Sequence, residues 1–364
     1  GRVRLIADGA AAEGKGIWVV RAEGITVEGF DFEGARVPSR NGAGIRFDRG
    51  SLTVRDCRFI DNEMGLLTGN EPGTVLTVEN SEFAYNHRPD GPNHNLYAGT
   101  IARPAARGSN FHDAHIGHLL KSRAAVSVIE YNRLTDEGGR ASYELEFPNG
   151  GVAYVIGNVI QQSARTENEQ IISFGAEGYR WPTNELYLAH NTVIDDLPHG
   201  GVFLHTNPGV NHVLAVNNLW VGAGRLPADS AAALHNNFTV DRSVFAAEHG
   251  GDFRLKPTSP VWQRATDPGT ANGVSLVPRR EYRHPRTSVA LSGRAVQPGA
   301  MQSPAPADRW PRAVRAIARA AISRAMANHT DSLALGSPRF RDAALARRAQ
   351  DQGMLAAWRE AISR

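Results

Sequence analysis

Residues 52–59 read LTVRDCRF and residues 76–83 read LTVENSEF. The two copies share a β-branched run, a polar corner, a small residue and a terminal Phe. Outward along the chain the pattern returns as ARGSNF (106–111), VIEYNRL (128–134), YVIGNVI (154–160), YLAHNTV (187–193), LAVNNLW (214–220) and LHNNF (234–238), with ITVEGFDF (25–32) as an earlier, weaker copy. The anchoring apolar residues are Phe59, Phe83, Phe111, Leu134, Ile160, Val193, Leu219 and Phe238, separated by 24, 28, 23, 26, 33, 26 and 19 residues. Two residues before each anchor stands Cys57, Ser81, Ser109, Asn132, Asn158, Asn191, Asn217 or Asn236. A strand-rich, glycine-punctuated repeat of this length is one unit stacked on its neighbours. Amide side chains at one position of successive units form a ladder when the strands are parallel. The pattern predicts an all-β fold, a right-handed parallel β-helix over residues 1–263. A β-sandwich with similar strand spacing supplies no reason for a residue-by-residue ladder.

A second strand is expected after each anchor: residues 44–48, 65–69, 95–99, 118–123, 143–147, 171–175 and 202–206. Side chains alternate faces along a strand. If Leu120 and Ser122 point inward, Lys121 and Arg123 point outward. If Tyr143, Leu145 and Phe147 point inward, Glu144 and Glu146 point outward. The expected outer column holds Arg46, Asn95, Tyr97, Lys121, Arg123, Glu144, Glu146, Ser173, Phe203 and His205. Polar side chains concentrate between about 95 and 146, where a solenoid wall carries a site. Loops at 86–94, 161–170 and 175–184 border it, and Tyr179, Arg180 and Trp181 in the last are candidates for stacking on sugars and attracting acid groups.

Beyond residue 245 the repeats fade. Residues 264–306 are rich in Pro and Gly and read as a segment wrapping the solenoid, and 307–364 read as an α-helical C-terminal extension with apolar residues at helical spacing. That extension carries 11 arginines against 5 acidic residues, so the formal charge of +3 belongs to it. The remaining chain holds 29 basic and 32 acidic residues, which argues against a nucleic-acid-binding surface. There is no apolar run of about 18 residues to span a membrane. The single Cys57 excludes an intrachain disulfide and reads as a buried, inert thiol. The chain starts at Gly1 without an initiator Met, as a mature fragment would, and the chemistry below is expected of a secreted or periplasmic protein.

That chemistry is cleavage of an acidic polysaccharide by β-elimination. It needs a base for the C5 proton, a cation to neutralise the uronate carboxylate and a donor for the departing oxygen. Lys121 and Arg123 supply the cations, and Arg123 can hold a carboxylate with two bonds. Tyr97, one coil away, is a donor or an alternative base, and His118 is a further acid/base group. His94, His112, Arg180, Trp181 and His205 are candidate substrate contacts, with Glu144 and Glu146. The Glu pair has three readings: ion-pair partners that fix Lys121 and Arg123, a Ca²⁺ site shared with Asn95, or the carboxyl pair of a glycoside hydrolase. A non-catalytic carbohydrate-binding solenoid is the reading from another functional class.

Residues 1–260 resemble the pectate-lyase-like right-handed β-helix superfamily. Within them LLKSRAAVSVIEYNRL (119–134) is similar to a segment of the alginate lyase and chondroitinase B family, in which a Lys-Ser pair ends one strand and an aromatic-Asn pair follows in the ladder. The resemblance implies Lys121 as the Brønsted base, an Arg one coil later as the acid, and Ca²⁺ held by an Asn, here Asn95, with a Glu-x-Glu pair. The order differs in this chain. AHIGH (114–118) stands where the family has its Glu-x-Glu, Glu144 and Glu146 follow one coil later, and Arg123 sits beside the Lys.

Overall fold

The structure, a computed structural model, describes residues 2–88, 91–226, 232–247 and 251–304. Each coil adds one strand to each of three parallel sheets of ten, eight and nine strands, building a β-solenoid of about 8 turns. The eight-stranded sheet runs through Gly16–Val20, Ala43–Phe47, Met64–Thr68, Leu96–Ala98, Leu120–Ser122, Leu145–Phe147, Gln170–Phe174 and Val202–Thr206. Every strand pair in these three sheets is parallel and in register, as the ladder required.

The repeat forms a coil because its corner is chemically specified. Between the nine-stranded and ten-stranded sheets the chain passes through a left-handed residue: Asp56, Asn80, Gly108, Tyr131, Gly157 or His190. The amide that follows the corner is taken up by a side chain of the next coil. Ser81 Oγ accepts from Cys57 N–H at 3.1 Å, Asn132 Oδ1 from Ser109 N–H at 3.0 Å, and Asn158 Oδ1 from Asn132 N–H at 2.9 Å. These ladder residues are fully buried, so an unmatched amide there would cost about 1–3 kcal/mol. Beside the ladder, the rings of Phe32, Phe59, Phe83 and Phe111 stack at 5.0, 4.6 and 4.9 Å, close to the strand spacing. Cys57 is buried among them, and burial raises its thiol pKa, as expected of an inert cysteine.

The last two ladder positions differ from the expectation by one residue. Asn218 and Asn237, not Asn217 and Asn236, continue the ladder, with Asn191 N–H on Asn218 Oδ1 at 2.8 Å and Asn218 N–H on Asn237 Oδ1 at 2.9 Å. Trp220 therefore pairs with Val193 as the core anchor, and Phe238 with Leu219. In each Asn-Asn doublet the first residue takes the left-handed corner, at φ 57° for Asn217 and 51° for Asn236. Asn tolerates that conformation better than most residues, and the pattern alone could not tell the two apart.

Residues 264–304 lie along the solenoid as antiparallel hairpins and loops. Arg279 N–H donates to Tyr131 Oη, His190 Nδ1 lies 3.0 Å from Gln297 O, and Arg286 pairs with Asp56 and Glu82. The helices expected over 307–364 lie outside the described residues. A stability test follows from the ladder. Asn158→Ala strands two buried donors of Asn132 and should lower unfolding stability in urea by at least about 2 kcal/mol. Asn158→Ser should lose less, because Ser81 and Ser109 fill the same role. Equal losses would remove the ladder as the cause.

Candidate functional site

The eight-stranded sheet places Tyr97, Lys121, Glu146, Ser173 and His205 in one column, each paired in register with the next. Leu120, Ser122, Leu145 and Phe147 face the interior as expected, all fully buried. Lys121, Glu146 and Tyr97 stand on the outer side, and Arg123 follows directly after its strand.

Parity fails just before the strands that begin at Leu96, Leu120 and Leu145 and at the second residue of the two strands that follow, where two successive residues face inward. Asn95, Leu119, Glu144, Ile171 and Phe203 form this second inward column, all buried. Alternation from Tyr143 would turn Glu144 outward, but the strand begins at Leu145. Glu144 is accordingly inside the solenoid, with neither carboxylate oxygen bonded to a protein group. Burial, reinforced by Asp136, raises its pKa well above the carboxylate range. It is not a substrate contact, not a partner of Arg123 and not half of a hydrolase pair. Asn95 also faces inward: its Oδ1 accepts from Asn86 at 2.8 Å and its Nδ2 donates to His112 O. Phe203 packs on Trp220 in the core.

The Ca²⁺ reading fails on the same geometry. Asn95 and Glu144 point into the solenoid while Glu146 points out of it, so the three cannot share an ion. Among the described residues the grouping with ligand atoms close enough for a metal is His112, Asp113 and Glu137, on the ten-stranded sheet. His112 is therefore not at the Lys121 wall. Burial opposes its charge, but Asp113 at 2.8 Å and Glu82 push its pKa up to about 10, and Arg133 pairs with Glu137. That is an ion-pair network.

On the wall itself the groups are tightly tied. Lys121 Nζ lies 2.8 Å from Glu146 Oε2 and donates to Glu177 Oε1 at 3.0 Å. Arg123 spreads its guanidinium over three partners: Tyr97 Oη at 2.7 Å, Asn149 Oδ1 at 2.6 Å and Glu177 at 2.7 Å. Burial works against ionising Glu146, but His118 and Lys121 outweigh it and hold its pKa below the ordinary value. Lys121 and Arg123 do the same for Glu177. Trp181 is part of the frame, its indole N–H donating to Arg123 O at 3.0 Å. Tyr179 anchors its loop through Asn207 O, whereas Arg180 is exposed. His205 sits in the column two coils from Glu146 and contacts Asn207.

The histidines form a second layer. His94, His118 and Tyr143 face outward one position before the inward column, with ring centroids 4.5 and 4.9 Å apart. His94 Nδ1 accepts the His118 backbone N–H at 3.0 Å, which puts its proton on Nε2. Burial, and then the charge of its neighbours, keeps it neutral. His118 Nδ1 lies 3.0 Å from Glu146 Oε2, a close charge contact without hydrogen-bond alignment. Burial lowers its pKa against the pull of Glu146, so at neutral pH His118 is an uncharged imidazole.

Glu177 and Asn149 escaped the sequence reading. Both were within reach of it: Glu177 lies in the 175–184 loop between two glycines, and Asn149 stands two residues after the Glu146 strand. The fold and the wall together define a parallel β-helix with a clustered cation, imidazole and phenol site on one sheet. Comparison with family models, with curated proteins and with solved structures found no match.

Proposed function

We propose that the chain is a polysaccharide lyase that cleaves an acidic, uronic-acid-containing polysaccharide by β-elimination, outside the cytoplasm. The observation that carries this reading is one wall bearing a neutral imidazole beside a carboxylate, two adjacent cations and a phenol. The β-helix scaffold supports it, being common to polysaccharide lyases and other carbohydrate-active enzymes.

In this reading Arg123 and Lys121 receive the uronate carboxylate and stabilise the charge that develops on it once C5 loses its proton. His118 Nε2 takes that proton, with Glu146 steadying the imidazolium, a carboxylate–histidine arrangement of general use. Arg123 Nε–H donates to the Tyr97 oxygen, which leaves the phenol proton free to go to the departing glycosidic oxygen. The C5–H and C4–O bonds break, a C4–C5 double bond forms, and the proton count balances. The resemblance to the alginate lyase and chondroitinase B family assigns the base to Lys121. Its two carboxylate contacts favour His118 instead.

A hydrolase needs a carboxylic acid that holds its proton at working pH. Glu146 and Glu177 are both held ionised by cations, and Glu144 is inside the core. The test is incubation with alginate, polyglucuronate, pectate and glycosaminoglycans, followed by the ultraviolet absorbance of an unsaturated uronate. Absorbance should rise with at least one polymer. New reducing ends without absorbance would point to hydrolysis, and binding without any product to a carbohydrate-binding module.

A further inference from the structure

Glu177 differs from every other member of the cluster. Its side chain is 43% exposed, while Lys121 and Arg123 beneath it are 9% and 17% exposed. It contributes no core contact and sits at the mouth of the cation pair. One carboxylate oxygen bridges Lys121 Nζ at 3.0 Å and Arg123 Nη2 at 2.8 Å, and the other lies 2.7 Å from the same Nη2. This is the contact set a bound carboxylate ligand would make.

We propose that the Glu177 carboxylate is an internal occupant of the seat that takes a substrate uronate, and that the ligand binds by displacing it. Three features support the exchange. Charge comes first: Lys121 and Arg123 are balanced by Glu146 and Glu177, while His94 and His118 are neutral. With Glu177 turned away, the cation pair carries one uncompensated positive charge, matched by one carboxylate. Glu146 cannot be the group that leaves, because it is buried and tied to His118 as well as Lys121.

The backbone allows the motion without rearranging. Glu177 N–H donates to Pro148 O at 2.9 Å and Gly178 N–H to Gly175 O at 2.9 Å, so the loop stays anchored while the side chain rotates. The turn itself depends on Gly175 and Gly178, at φ 87° and 84°, a conformation L side chains rarely adopt. Finally, the contacts that Glu177 gives up are remade by the incoming carboxylate on the same two cations. Exchange for a ligand carboxylate that adds sugar contacts is then favourable, and a neutral sugar gains nothing by it.

The inference rests on the reading of Lys121 and Arg123 as a carboxylate seat and not on turnover. Its test uses monomeric glucuronate, which has no glycosidic bond to eliminate, and methyl glucoside as the neutral control. Both are titrated calorimetrically into the native protein, Glu177→Gln and Glu177→Ala. Glucuronate should bind both variants about tenfold or more tighter than the native chain, an effect that shrinks as salt is raised. It should also raise their melting temperature more than that of the native protein. Methyl glucoside should show no such difference. Unchanged or weaker glucuronate binding in both variants would overturn the proposal and make Glu177 a fixed positioning partner. An equal gain for methyl glucoside would overturn it too, because the gain would then be steric. Loss of the unsaturated product in polymer assays would bear on the lyase reading alone.

Discussion

His118→Gln should cut the rate of unsaturated-product formation by roughly a thousandfold, within the span that a positioned general base contributes. Binding of glucuronate should stay within about twofold, because the imidazole is assigned to proton transfer and the carboxylate seat is left intact. Lys121→Met should show the opposite split: glucuronate binding weakens by at least about tenfold, and the rate at saturating polymer falls less than in His118→Gln. The pH profile adds a second reading. Burial lowers the His118 pKa, so the acid limb of the native rate should lie below the ordinary histidine range, rising as His118 loses its proton. If instead Lys121→Met abolishes turnover with binding intact while His118→Gln still works, the lysine is the base, as the family resemblance implies.

Glu144→Gln should make the protein more stable, and more so at alkaline than at acid pH. Glu144 is enclosed in the solenoid with its oxygens unmatched, and its neighbour Asp136 is pushed up to about 8, chiefly by burial. Both groups keep a proton in the folded chain that the unfolded chain releases near pH 4. Their contribution is fully present below that range and is lost as pH rises through the raised folded-state values, about 8 for Asp136. For each such group the folded state binds one more proton across the window, so stability falls by up to about 1.4 kcal/mol per pH unit. Glutamine fills the same space without a charge to suppress. Thermal unfolding from pH 5 to pH 8 should show the native melting temperature falling steadily, and Glu144→Gln should remove about one proton from that slope. At pH 8 the variant should melt several degrees higher. A parallel pH dependence in the two proteins would mean that Glu144 keeps its charge inside, or is not inside at all.

The equivalent position two coils earlier shows how this interior copes without ionisable groups. There Asn86 and Asn95 face each other, and Asn86 Nδ2 donates to Asn95 Oδ1 at 2.8 Å. An amide always carries both a donor and an acceptor, whereas two carboxyls need retained protons to make any such contact.

The solenoid and its ladder are legible in the repeats. A corner that leaves an amide unmatched, a polar side chain to receive it and an apolar anchor two residues on must recur in every coil, so they are written into every repeat. Lys121 beside Glu146, and Tyr97 beside Lys121, were legible for the same reason, since strands in register bring equivalent positions together. Side-chain direction departs from the repeat where the chain leaves regular alternation. The turn before Leu145 carries Glu144 inward, and the one before Leu96 does the same to Asn95. Each Asn-Asn doublet assigns its first residue to the corner and its second to the ladder. The loop after Phe174 carries Glu177 back over two coils to Lys121 and Arg123. Periodicity describes strands, whose side chains follow from backbone geometry. At corners and in loops, direction is set by which amides need partners and which charges need neutralising, and those partners come from other coils.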